Sequence, residues 1–174
     1  MKTELEIAIN ALLEFRLVDW HGLPSTTTLE LLDRLGVPVD TFNTYIGMHA
    51  AIAMKFPMNS FPAMELIVYF RGDQVLALET FNPPPASILT LLDPPDIRKP
   101  GEFLLAGCLI YEYVFCRRGL AMSVAEPLPS EPKKSMKILR CRGIASLASP
   151  SEFDNRYYLA QQSRLVFDTN FERD

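Results

Sequence analysis

Two apolar segments joined by a short turn place the tightest constraint on the fold of this chain. The segment MELIVYF (Met64–Phe70) is followed, after an Arg-Gly-Asp turn, by QVLALETF (Gln74–Phe81). Because Gly72 accepts the positive φ of a tight turn, the pattern predicts an antiparallel β-hairpin. Alternation along the first segment puts Leu66 and Val68 on one face, which we expect to pack under helices.

The flanking sequence predicts helices and further strands. Apolar residues recur at helical spacing from Thr3 to about Val18, which predicts a first helix. A second helix begins under a Ser25 or Thr27 cap, forms a T-x-x-E capping box with Glu30 and closes at Gly36. Strands are predicted over 51–56, 108–116 and 120–127 and from 136 onward, and a last helix follows Ser149 or Ser151. The predicted fold is a single α+β domain over residues 1–174, with a largely antiparallel sheet and its helices packed on one face.

A second helix-end pattern suggests an internal repeat. The segments LLDRLGVPVD and LLDPPD each precede predicted strands, and a predicted Arg-Gly turn occurs twice, in YFRG and in FCRRG. The simplest account is a duplication with halves 1–82 and 83–174. The alternative, with equal weight, is that Leu-Leu-Asp and Pro-Asp are common helix endings.

Length, charge and cysteine usage narrow the class of protein. With 174 residues and 48% apolar composition, the chain can bury a core without disulfides or metals. A net charge of −4 disfavours nucleic acid and anionic lipid as partners. We expect a cytoplasmic protein, because the sequence shows no secretory signal or membrane-spanning run and its three cysteines (Cys108, Cys116 and Cys141) lack a CxxC pair.

The sequence contains few residues or motifs that are typical of catalytic or metal-binding sites. The two histidines, His21 and His49, lie in no ligand cluster, so we expect no metal and no cofactor. Motifs of the G-x-S-x-G, P-loop and G-x-G-x-x-G types are absent. Cys116 precedes two arginines, but burial is the more common state of such a cysteine. The basic run from Lys133 to Arg142 has no interleaved aromatic residues, which favours a solvated strand edge over a nucleic-acid surface.

Tyrosines on the predicted strands suggest a protein-binding face. Tyr69 lies on the outward side of the hairpin, and Tyr111 and Tyr113 share one side of another strand. If all three lie on the uncovered side of the sheet, they form an aromatic surface rimmed by charged residues, which suits protein recognition. The predicted partner-binding residues are Glu65, Tyr69, Arg71, Tyr111, Tyr113 and Arg117. The alternative, with equal weight, is that these tyrosines edge the core with their hydroxyls in water.

A capped helix closing on LLDRLGVPVD before a β-meander resembles the repeat of the beta-lactamase-inhibitor-protein and outer-membrane assembly lipoprotein (SmpA/OmlA) group. The residues that carry the resemblance are Leu32, Leu35, Gly36, Pro38 and Asp40, with Leu91, Leu92, Pro95 and Asp96 in the second half. The second copy lacks the glycine, and the lipoprotein signal and paired cysteines of those families are absent. The resemblance implies a tandem α/β repeat whose sheet face binds another protein, and it transfers no individual binding residue.

These observations predict a non-enzymatic protein-binding module, such as a cytoplasmic inhibitor or immunity protein that occludes a basic partner. An alternative is an enzyme or small-ligand-binding protein with a pocket between sheet and helices, around Trp20, His21 or Cys116 and beside a carboxylate. A third reading is a homo-oligomer whose sheet faces pair through the tyrosines.

Overall fold

A single antiparallel sheet of eight strands organises this computed structural model, which describes residues 3–46, 49–57, 65–80, 82–105 and 107–158. The strands are β1 (Asp40–Ile46), β2 (His49–Pro57), β3 (Glu65–Arg71), β4 (Gln74–Thr80), β5 (Ile97–Leu105), β6 (Cys108–Phe115), β7 (Leu120–Pro127) and β8 (Lys137–Ile144). Their order across the sheet is β1-β2-β3-β4-β8-β7-β6-β5. The predicted α+β class with an antiparallel sheet is therefore confirmed.

The described part of the chain has three α-helices: α1 (Glu4–Leu13), α2 (Thr28–Leu35) and α3 (Pro150–Phe153), which continues as a π-helical turn over Asp154–Tyr158. The first helix is shorter than predicted, because Phe15 takes a φ of 54° that helical backbone does not allow. The chain then makes a 3₁₀ turn at Leu17–Asp19 and approaches the sheet.

Local signals set the start and end of α2. The Thr27 side chain accepts a hydrogen bond from the Glu30 amide at 3.2 Å, and the Glu30 carboxylate accepts one from the Thr27 amide at 2.9 Å. The predicted capping box is therefore confirmed, with Thr27 as the cap. Gly36 ends the helix with a φ of 79°, in the region that favours glycine.

The predicted β3–β4 hairpin is also confirmed. Arg71 pairs with Gln74 across the turn, where Gly72 has a φ of 60°. Leu66, Val68 and Phe70 are at most 2% exposed and belong to the core under α1 and α2. Met64 and Phe81 lie outside the described residues.

Helices cover both faces of the sheet, so the prediction of helices on one face alone is wrong. The larger core lies between the sheet and α1, Trp20 and α2. On the opposite face, Phe153 and Tyr157 pack over a second apolar cluster that includes the central-strand residues Ala77, Ala121 and Ile144. These side chains form an apolar strip on that face of the sheet, and α3 shields the strip from water.

The strand order shows that the two halves of the sheet are built by different parts of the chain. Strands β1 to β4 follow one another, strands β5 to β8 do the same, and the two series meet where β4 pairs with β8. Among the described strands the outermost are therefore β1 and β5, neither of which was predicted, and β8 lies in the centre.

Candidate functional site

The predicted partner-binding residues do not form one surface. Tyr69 packs in the cluster beneath α3, whereas Tyr113 packs against the core on the α1 side. Cross-strand register gives the same result, because Tyr69 opposes Ala77 and Tyr113 opposes Met122, which belong to different cores. The grouping of Tyr69 with Tyr111 and Tyr113 on one face is therefore wrong.

Tyr69 belongs to an ion-pair network in which Glu79 is buried and the Arg140 side chain is half-exposed. It is 6% exposed, and its hydroxyl donates to Glu79 Oε2 at 2.7 Å. Arg140 donates to both carboxylate oxygens of Glu79, from Nε at 2.8 Å and from Nη2 at 2.7 Å. Burial and the neighbouring Glu79 carboxylate raise the pKa of Tyr69 to about 12, so the phenol keeps its proton. This tyrosine stabilises the sheet and offers little surface to a partner.

A second ion pair, Arg142 with Glu112, is more deeply buried than the first. Arg142 Nη2 donates to Glu112 Oε1 at 2.6 Å, and Ser123 Oγ donates to Glu112 Oε2 at 3.1 Å. The prediction of a solvated strand edge is therefore wrong for Arg142, whose side chain is 14% exposed on a strand paired on both sides, whereas the Arg140 side chain is half-exposed. The sequence concealed this because both carboxylates come from strands far away in the chain.

Tyr111 and Tyr113 do come together, in a cluster at the β5 end of the sheet. The Arg98 guanidinium lies 3.6 Å from the ring centre of Tyr111 and donates to both oxygens of Glu126, at 2.9 and 2.6 Å. Tyr113 donates its hydroxyl to the same carboxylate. Hydrogen bonds from Arg98, against the opposing effect of burial, hold the pKa of Glu126 below its ordinary value. Sequence reasoning missed Arg98 and Glu126, because only the β5–β6–β7 register brings them here.

The remaining predicted residues are dispersed. Glu65 is half-exposed, and its Oε2 lies 4.0 Å from Lys55 Nζ. Arg71 is exposed beside the β3–β4 turn, and Arg117 is exposed in the β6–β7 turn. Their role in partner binding stays a prediction.

Cysteine chemistry finds no support at Cys116. Its side chain is buried, and burial, with the carboxylates of Asp96 and Asp154, raises the pKa of the thiol. A reactive cysteine needs the opposite shift. The described residues contain no group of three side chains suited to hold a metal ion.

The outer edge of β1 is open among the residues that the structure describes. Strand β1 pairs with β2 in an unbroken register of seven residues, and no described residue pairs with its other side. Phe42 is 38% exposed and Tyr45 72% exposed. Val37 and Val39, just before the strand, are more than half exposed. This strand was not predicted, because DTFNTYI lacks the apolar-polar alternation by which strands are recognised.

A cavity of about 330 Å³ lies between the start of α1 and the loop before Ser25. Trp20 and His21 line it together with two carboxylate residues, Glu4 and Asp19. The structure thus places two of the three residues named for the pocket alternative beside carboxylates, and Cys116 is not among the lining residues.

Comparisons with protein-family models, with curated proteins and with solved structures found no match to this chain. The resemblance to the beta-lactamase-inhibitor-protein and SmpA/OmlA group therefore stays a prediction. Within the described ranges, no helix has the length and apolar character needed to cross a membrane.

Proposed function

We propose that this protein is a non-enzymatic binding module that captures an extended segment of a partner protein along the open edge of β1. The observation that carries the proposal is the combination of a strand edge that no described residue pairs with and exposed Phe42 and Tyr45 on the same strand. Such edges pair readily with another chain, and β-strand addition is a common mode of peptide recognition.

The contrast with the other outer strand supports this choice. Strand β5 contains Lys99 and Pro100, and its pairing with β6 is irregular between Pro100 and Leu104. A lysine, a proline and a bulge each discourage pairing with a foreign strand. Strand β1 contains none of these devices.

The side chains of β1 supply contacts on both sides of an added strand. Phe42 lies on the face of its cross-strand partner Ala53, and Tyr45, three residues later, lies on the other face. Ile52 on β2 is 43% exposed on the same face as Tyr45. Backbone hydrogen bonds would supply affinity, and the exposed aromatic residues would select the partner sequence.

The acidic net charge of −4 suits a basic partner, and an inhibitor or immunity role in the cytoplasm is one form that such binding takes.

The proposal does not depend on the internal repeat between residues 1–82 and 83–174, which stays a prediction. Two α-helices precede β1, whereas a 3₁₀ turn at Ala86–Thr90 precedes β5 among the described residues.

The test compares two double variants that change charge equally. The partner is captured from the native host, purified and titrated against wild type, against Phe42→Lys/Tyr45→Lys and against Leu29→Lys/Leu91→Lys. The control residues are each 66% exposed and lie outside β1. We expect the β1 variant to bind at least about tenfold more weakly, a loss of about 1.4 kcal/mol, and the control to bind like wild type.

Equal loss in both variants would contradict the proposal, since charge alone would then explain it. Light scattering on the purified protein tests whether a second copy of this chain, instead of a foreign segment, occupies the β1 edge. A wild-type dimer that the β1 variant dissociates would assign the edge to self-association and overturn capture of a foreign segment.

A further inference from the structure

We propose that the cavity beside α1 binds a small organic cation, with an apolar body and one protonated amine. The cavity is independent of the β1 edge and lies within the size range of small-ligand pockets, at about 330 Å³. Its lining combines an apolar floor with carboxylates at the rim.

The floor is formed by small and aromatic side chains. Ala8 and Ala11 lie three residues apart on α1, so they share one face of the helix, and their short side chains leave the space open. Trp20 and Leu23 close the floor from the loop, and all four residues are buried. Such a floor favours a hydrocarbon group over a polar one.

The loop that carries Trp20 is held rigidly against the sheet. Trp20 Nε1 donates to the Gly119 carbonyl at 3.0 Å, and the Leu23 amide donates to the Ile144 carbonyl at 2.8 Å. Gly22 has a φ of 100°, and a Cβ there would lie 2.6 Å from the Ser146 amide nitrogen. Because the indole N–H is already bonded, Trp20 offers the cavity only apolar surface. A preformed floor lowers the entropy cost of binding.

The rim selects the charge of the ligand. Glu4 and Asp19 line the cavity, are exposed, and form no ion pair with a described residue. No lysine or arginine is among the described lining residues. Two carboxylates above an apolar floor attract a cation and repel an anion of the same shape.

The only tryptophan of the chain, Trp20, lines this cavity, so tryptophan fluorescence can follow its occupation. The probes are cyclohexylmethylamine, the neutral cyclohexylmethanol and the anionic cyclohexanecarboxylate, each titrated into the full chain. We expect a saturable fluorescence change with the amine and at least tenfold weaker responses to the other two. No saturable change with the amine in the millimolar range, or an equal response to the alcohol, would overturn the proposal.

Two variants locate the binding. Asp19→Asn should weaken binding of the amine at least tenfold. Asp33→Asn removes the same charge from an exposed position on α2 and should leave the affinity for the amine unchanged. Ala8→Leu should fill the floor and abolish the response, with circular dichroism confirming that the variant folds. Equal weakening by both asparagine variants would overturn the proposal, because net charge and not the cavity would then govern the response.

Discussion

Replacing Gly119 with alanine is expected to lower the free energy of unfolding by about 3 to 5 kcal/mol, and the same change at Gly72 by about 1 kcal/mol. Both glycines have similar positive φ values, 66° and 60°. A Cβ at Gly119 would lie 2.3 Å from the Ile144 carbonyl oxygen, whereas a Cβ at Gly72 would have no atom within 4 Å. The pair therefore separates the cost of backbone conformation from the cost of collision.

The position of Gly119 explains why the collision cannot be relieved cheaply. Its amide and carbonyl belong to the β6–β7 turn, its carbonyl accepts from the Trp20 indole and from the Ile144 amide, and Gly22 passes close by. A shift at this point would disturb three segments together. Urea unfolding followed by circular dichroism measures both variants, and equal losses at Gly119 and Gly72 would contradict the packing described here.

Changing Glu79 to glutamine is expected to cost about 2 kcal/mol at neutral pH. The carboxylate is buried, accepts two hydrogen bonds from Arg140 and accepts the hydroxyl of Tyr69. Glutamine keeps the shape but has one acceptor oxygen and no charge. Glu126→Gln is the matched control, because Glu126 also joins an arginine and a tyrosine but sits in the more exposed cluster. We expect it to cost under about 1 kcal/mol.

The same comparison has a pH dependence with a defined sign. Burial alone would raise the pKa of Glu79, but hydrogen bonds and charge from Arg140, together with Tyr69 and Arg142, lower it below its ordinary value of 4.5. Its stabilising contribution is therefore present above pH 4.5 and is lost as the pH falls through the lower, folded-state pKa. The difference between wild type and Glu79→Gln should shrink in acid. A gap that stays constant or widens below pH 4 would contradict this assignment.

Local features of the fold were predictable because their causes lie within a few residues. The capping box of Thr27 and Glu30 and the turn at Gly72 depend on neighbours in the chain. Strand β1 was missed because its exposed, mixed residues show no alternation. Helix α3 was expected on the same side as α1, since nothing in its own sequence says which face of the sheet it covers.

Long-range pairing explains the errors at the candidate site. Tyr69 and Arg140 are 71 residues apart, and only the pairing of β4 with β8 brings them to one carboxylate. The recognition surface predicted from the tyrosines and arginines stays a prediction, and the strand register decides which tyrosine lies beside which arginine. Trp20 and His21 do line a cavity, between α1 and their own loop, whereas the ligand pocket predicted between sheet and helices stays a prediction.

Hydrogen–deuterium exchange of the purified protein, with and without its captured partner, tests the central claim most directly. Capture along the open edge predicts that the amides of β1, Asp40–Ile46, become protected on binding, while those of the opposite outer strand β5 do not change. Protection confined to the Tyr111 and Tyr113 cluster at the β5 end, with no change in β1, would contradict the account and place the partner at the other end of the sheet.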